Sequence, residues 1–304
     1  MNIRRLKIGH FWLLTPGPAV ASMVATLALL STAHAELVFK DDSGHEVRLK
    51  GPAKRIITLA PHATEMLYAA GAGDRLVGVM RYSDTPPQAA LLPVIGDAFA
   101  VNLEAVAALK PDLLLVWRSG VNPRQQQRLR TLGVPVYESE TRSVEGIAET
   151  LRRIGRLLGS ETAAEAAAQQ SEVAWHTLRT RYAGRTPVRV FFQMWHEPLM
   201  TVNQSHLIDQ AMRACGGLNV FAQQPGLTPT VSWEAAVATN PQAVITVAAR
   251  DEPARLENWR SFARVDAVRR GKLLAIQGDH LVRMTPRFIE GAQALCEAID
   301  SARR

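Results

Sequence analysis

Apolar residues recur along the chain in two rhythms. Short runs rich in aliphatic and β-branched residues occur as "RIITLA" at 55–60, "LVGVM" at 76–80, "DLLLVW" at 112–117 and "VPVYES" at 134–139. Between them lie "TEMLYAAG", "LEAVAAL" and "RQQQRLRTLG", whose apolar positions repeat every three to four residues. The runs predict strands and the periodic segments predict helices, two of them stopped by Gly. The alternation resumes near residue 187 with "VRVFFQM", "HLIDQAMRACGG", "QAVITVA" and "KLLAIQG", and a last helix begins near 286. Strands that alternate with helices build a mostly parallel sheet covered on both faces.

The middle of the chain breaks this rhythm. "SVEGIAETLRRIGRLLG" ends at Gly159, and "SETAAEAAAQQSEVAWHTLRTRYAG" then runs about 23 residues without Gly or Pro, with Ser160 placed to cap it. At 1.5 Å per residue such a helix spans roughly 35 Å. The pattern therefore predicts two Rossmann-like α/β lobes, 36–142 and 185–304, joined through a helical segment at 143–184 that contains one long backbone helix. Such a connection leaves little room for hinge motion. One continuous sheet with an inserted helical hairpin is the competing arrangement.

Ligands of α/β sheets collect beyond the carboxyl ends of the strands. Those ends carry Ala60-Pro61-His62, Arg81-Tyr82-Ser83, Trp117-Arg118, Met194-Trp195-His196 and Gly278-Asp279-His280. Facing lobes would make of them one aromatic, amphipathic cleft, suited to a large flat organic ligand with some anionic character. Tyr82 and Trp117 are either stacking platforms or caps on the sheet edge. Arg283 and Arg287, just before the last helix, either meet ligand anions or are solvated. Trp175 and Trp259 read as packing residues.

Composition narrows the function. With 304 residues and 21% charged, the sequence is that of a globular chain. Arg4, Arg5 and Lys7 precede an apolar stretch and Ala33-x-Ala35, the pattern of a secretory signal cleaved after Ala35; the paired arginines leave general and twin-Arg export both open. Its removal lowers the formal charge from +7 to +4, and no basic run interleaved with aromatics points to nucleic acid. In an oxidising compartment the two cysteines, Cys215 and Cys296, favour a bridge over two buried thiols.

Catalytic signatures are missing. The sequence has no Walker loop, G-x-S-x-G, H-E-x-x-H or C-x-x-C, and "GAGDRLVG" at 71–78 falls between a helix and a strand, where it reads as a helix stop. His62, His196 and His280, with Asp279 or Glu197, lack the local spacing of a metal site. A secreted metal-dependent hydrolase is thus a remote reading, and a single His as axial ligand to a metal held in a macrocycle is less demanding.

Two segments repeat one design. "NLEAVAALKPDLLLVW" from 102 and "SWEAAVATNPQAVITVA" from 232 each place a capping residue, an acid two positions later, a Pro and a strand at matched offsets. The helix dipole alone would favour Glu104 and Glu234 there. Two copies, one per lobe, would also put two anionic points beside the cleft mouth.

Together "RIITLAPHATEMLYAAGAGDRLVGVMRYSDTPP", "NLEAVAALKPDLLLVWRSG", "ACGGLNVF" and "GDHLVRMTPR" resemble the cobalamin-binding branch of the superfamily of iron-siderophore, haem and cobalamin receptors with a helical backbone. The resemblance spans about 52–300. It implies a periplasmic, non-enzymatic, monomeric solute-binding protein without a cofactor of its own, which carries cobalamin or another corrinoid to an ABC importer permease dimer. It implies that Tyr82 and Trp117 contact the corrin, that Asp279 and Arg283 line the C-terminal side of the cleft, that Cys215 and Cys296 form the family's disulfide, and that Glu104 and Glu234 dock on permease arginines. Ala98 and Thr228 stand where the branch carries cleft tryptophans, which makes Phe99 and Trp195, with His196 beside it, candidate replacements. A haem or siderophore ligand is the alternative on the same fold; for haem, Tyr82 and His280 are the axial candidates.

Overall fold

The computed structural model describes residues 36–248 and 253–304. The secretory signal expected at 1–35 lies outside the described residues. An antiparallel hairpin opens the fold, β1 (Leu37–Lys40) and β2 (Glu46–Leu49). The Asp42 carboxylate accepts the Glu140 backbone N–H at 2.7 Å and its own N–H donates to the Glu138 carbonyl at 3.0 Å, which ties the hairpin to the first lobe.

That lobe holds β3 (Ile56–Thr58), α1 (Pro61–Ala69), β4 (Leu76–Gly78), α2 (Leu103–Ala108), β5 (Leu113–Trp117), α3 (Pro123–Arg130) and β6 (Val136–Ser139). Its four strands are all parallel in the order β4-β3-β5-β6. The second lobe holds β7 (Val188–Gln193), a short antiparallel pair β8 (Trp195–His196) and β9 (Leu199–Met200), α6 (Leu207–Ala214), β10 (Gly217–Asn219), α7 (Trp233–Ala238), β11 (Ala243–Ala248), α8 (Asp266–Arg269), β12 (Leu273–Gln277) and α9 (Phe288–Ser301). Its parallel order, β10-β7-β11-β12, repeats that of the first. Two separate sheets replace the single-sheet alternative. In each, the first strand lies between the second and the third, so the order reverses there and opens a crevice at the carboxyl edge.

The connector is a helical hairpin, α4 (Val144–Leu158) and α5 (Glu161–Tyr182). Ser143 caps α4 by accepting the Gly146 N–H at 2.9 Å, and Gly159 ends it in the left-handed region at φ 64°. On α5 the buried residues Ala164, Ala168, Ser171, Trp175, Leu178 and Tyr182 follow a spacing of three to four, one face of a long helix. Ser160 precedes α5 as expected but does not cap it: with ψ near 35° the residue is not extended, and its buried hydroxyl finds no partner among the described residues. Arg152 of α4 clasps Glu165 and Glu172 of α5 with four hydrogen bonds of 2.6–3.0 Å, which holds both carboxyls below the usual carboxylate range.

Strand alternation sorts the core into three parts. Ile56, Leu113 and Leu115 of the first sheet share one continuous cluster with Val190, Phe192 and Ile245 of the second, through α1, α4, α5, α6 and α9. The opposite faces, with Ile57, Leu114 and Val116 on one side and Phe191 and Val244 on the other, belong to separate outer clusters. The lobes therefore share a core as well as a linker. Cys215, just after α6, and Cys296 of α9 are bonded to each other inside that shared core.

Candidate functional site

Two concavities lie at the carboxyl edges of the two sheets. The first, about 360 Å³, is lined by Pro61, Met80, Tyr82, Phe99, Trp117 and Gln125 among others. The second, about 500 Å³, is lined by Met194, Trp195, His196, Asp279 and Val282 with the ends of β7 and β11. The candidate residues Tyr82, Phe99 and Trp117 thus gather on one side, and Trp195, His196 and Asp279 on the other.

Each aromatic of the first lobe is held by its backbone or by a neighbouring ring. Tyr82 is 72% exposed and sits in the left-handed region at φ 68°, a conformation a bulky residue adopts at a cost on the order of 1–3 kcal/mol. Its neighbours hold it there: the Ser83 N–H donates to the Met80 carbonyl at 3.2 Å, and the buried Ser83 hydroxyl accepts from Thr64 at 3.2 Å. Phe99 is 90% exposed. It rides a short loop closed by the Asp97 carboxylate, which accepts the N–H groups of Phe99 and Ala100 at 3.0 and 3.1 Å and is held below its usual pKa by them. Gln125 of α3 adds a hydrogen bond to the Phe99 carbonyl at 2.9 Å.

Trp117 lies half-buried at the end of β5, with the His62 ring edge-on at 5.1 Å and its indole N–H directed to Glu140 at 3.4 Å. A Cβ on Gly120 would come within 2.0 Å of its ring, so only glycine leaves the indole in place. Burial, with the charge of Arg283 nearby, lowers His62 to about 4, which keeps it neutral at pH 7.

In the second lobe, Trp195 is 54% exposed on the β8–β9 pair and donates to the Glu197 carbonyl at 2.9 Å, with His196 tilted against it at 5.2 Å. His280 turns to Glu290 at 3.3 Å, and Asp279 pairs with Arg283 at 2.6 Å. Arg283 itself is largely covered. It spans the lobes, donating to the Tyr82 carbonyl from both terminal nitrogens at 3.3 Å and approaching Glu65 at 3.4 Å. Arg287 meets the same Glu65 oxygen at 3.1 Å. Glu65, on α1, carries no local sequence signal, because its partners lie more than 200 residues away. Among the described residues, one group of three possible metal ligands is found, Asp41, His45 and Glu138, and it contains no cleft histidine. Arg130 already pairs with Glu138 at 2.5 Å.

Glu104 and Glu234 stand in the first turns of α2 and α7, both exposed. The expected caps are present: Asn102 accepts the Ala105 N–H at 3.0 Å and Ser232 accepts the Ala235 N–H at 3.1 Å. Each helix leads into the third strand of a parallel sheet, so each runs against the strands and starts at the carboxyl edge.

Such an arrangement of two like lobes, a helical connector and an edge-to-edge cleft has a counterpart among known families. The model of the periplasmic binding protein family matches residues 56–279. The chain belongs to that family. It is 36% identical over 254 residues to the vitamin B12-binding protein of Vibrio cholerae, covering 83% of this chain and 91% of that one. The crystal structure of periplasmic vitamin B12 binding protein BtuF of Vibrio cholerae superposes with a TM-score of 0.76 at 36% identity, over 83% of this chain and 99% of that one. The apo periplasmic haem-binding protein RhuT from Roseiflexus sp. RS-1 superposes with a TM-score of 0.71 at 24% identity, over 84% and 100% of the two chains. At that identity the likeness speaks to the fold alone.

Proposed function

We propose that this chain is the exported receptor of an ABC importer, which holds cobalamin or another corrinoid between its two sheet edges and hands it to a permease dimer. The observation that carries this reading is the 36% identity to a vitamin B12-binding protein across 91% of that relative's length. The cleft supports it physically. A corrin is a flat apolar disc rimmed with amides, and Tyr82 and Phe99 offer exposed rings and Trp117 a half-buried one on one side, while Trp195 and Asp279 offer an indole and an acceptor on the other.

In this reading no bond of the ligand is broken. Phe99 and Trp195 take over from the tryptophans replaced by Ala98 and Thr228, and His196 and Arg283 complete the polar lining. Residues 1–35 direct export and are removed after Ala35, leaving a periplasmic monomer of lobes 36–142 and 185–304 joined by 143–184. Glu104 and Glu234 dock on permease arginines. Its own backbone N–H, and after it the Ser232 hydroxyl, keep Glu234 below its usual pKa, so it is charged at neutral pH. Exposed ion pairs contribute only about 0–1 kcal/mol each, which orients a complex without making it permanent.

Equilibrium dialysis of residues 36–304 against cyanocobalamin and against haemin tests the reading. One cyanocobalamin per chain, with haemin left outside, is the expected result. Haemin retained with a shifted Soret band, and no cobalamin, would assign the cleft to haem and make Tyr82 and His280 the axial candidates.

A further inference from the structure

We propose that Glu65 is a positioning residue for ligand binding, a fixed anion of the first lobe that anchors Arg283 across the lobe boundary and through it sets both the Tyr82 platform and the Asp279 carboxylate. The inference rests on the cleft being the ligand site. Four observations carry it. The Glu65 side chain is a carboxylate only 4% exposed, on a helix, α1, that packs into the shared core. Among the described residues, every charged or hydroxyl group that reaches it comes from the other lobe: Arg283 at 3.4 Å, Arg287 at 3.1 Å and the buried Thr285 hydroxyl, which donates to it at 3.1 Å. Arg283, held there, donates twice to the carbonyl of Tyr82 and pairs with Asp279. Tyr82 holds a left-handed backbone, so the hydrogen bonds to its carbonyl brace a strained conformation.

The geometry is also unfinished. Glu65 Oε1 and Arg287 Nη1 are buried and close, yet among the described residues neither has a well-aligned hydrogen bond. Burial pushes the Glu65 carboxyl up, and the charges of Arg287 and Arg283 oppose that shift without cancelling it. A stability device would more commonly be an apolar contact in the same volume. A charged joint beside a binding surface instead fixes direction: it selects one arrangement of the two lobe edges out of those the shared core permits.

The test is Glu65→Gln, which keeps the shape and an acceptor for Thr285 but removes the charge. Cyanocobalamin affinity is expected to fall tenfold or more, and amide hydrogen exchange at residues 80–84 to rise relative to α5 and α9. Wild-type affinity with wild-type exchange at 80–84, or a uniform rise everywhere, would overturn the proposal. Should Glu65→Gln not accumulate as folded protein, Thr285→Val removes one partner of Glu65 alone; it is expected to shift both readouts in the same direction, and no shift in either would overturn the proposal. A wild-type chain that binds no cyanocobalamin would sink the functional reading instead, while the local exchange comparison would still decide the role of Glu65.

Discussion

Gly155 sits where α4 crosses α5, and adding one methyl there sets two effects against each other. A Cβ at this position would lie 2.5 Å from Ala164 Cβ and 3.3 Å from Glu161 Cα. Carbon atoms in contact prefer about 3.5–4.0 Å, so the two helices must part by about 1 Å. Neither neighbour is the end of a flexible side chain, so the backbone has to move. Overpacking of this kind costs about 1–3 kcal/mol. Alanine returns helix propensity, up to about 1 kcal/mol and less near a helix end such as this one. Strain wins, and Gly155→Ala is expected to destabilise by about 1–2 kcal/mol in urea unfolding followed by tryptophan fluorescence. The double variant Gly155→Ala with Ala164→Gly reopens the space. Its loss should be smaller than the sum of the single losses by at least about 1 kcal/mol. A Gly155→Ala protein as stable as wild type, or strict additivity, would refute the reasoning that strain at this close approach outweighs the gain in helix propensity.

Cys215→Ala with Cys296→Ala opens a bridge with a sequence separation of 81, and the chain-entropy model puts the loss at about 4.5 kcal/mol; a urea midpoint within error of wild type would contradict it. His206 caps α6 by accepting the Ile208 N–H at 3.1 Å, and burial lowers it to about 4. Because its folded pKa lies below the unfolded value of 6.5, its contribution is fully present above pH 6.5 and is lost as pH falls toward 4, by about 2 kcal/mol at pH 4.5. His206→Asn keeps a cap that does not titrate, so its stability should fall less between pH 7 and 4.5; an unchanged slope would rule this out. Glu104→Ala with Glu234→Ala should reduce transport in cells while leaving ligand affinity intact, and unimpaired transport would end the docking assignment.

Much of this fold is local chemistry. The strands "RIITLA" and "DLLLVW" are apolar on both faces because each sheet lies between two core clusters, and that double burial made them readable. The caps at Asn102 and Ser232 and the stop at Gly159 likewise depend only on neighbours in sequence. Long-range pairings left no such trace. The β1–β2 hairpin and the two-residue strands β8 and β9 are too short for a periodic signal. Ser160 has the right residue type for a cap but the wrong backbone angle, which tertiary packing decides.

The candidate site divides in the same way. Strand ends place Tyr82, Trp117, Trp195 and Asp279 at the cleft, so the topology rule found them. Phe99 was visible through family resemblance, while the loop that presents it depends on Asp97 and on Gln125 of another helix. Glu65 was not legible at all: in "TEML" it resembles any helical surface acid, and only the meeting with Arg283 and Arg287 gives it meaning. Arg283, expected to face ligand, spends most of its donors on protein groups.

The central claim is that one ligand bridges the two lobe edges. Cyanocobalamin titrations of wild type, Trp117→Ala and Trp195→Ala, read by calorimetry, test it directly. One-to-one binding is expected, with a fall in affinity for both variants of about 2- to 13-fold each if a stacked contact contributes about 0.5–1.5 kcal/mol. No binding to wild type, or binding that one variant weakens and the other leaves untouched, would contradict it.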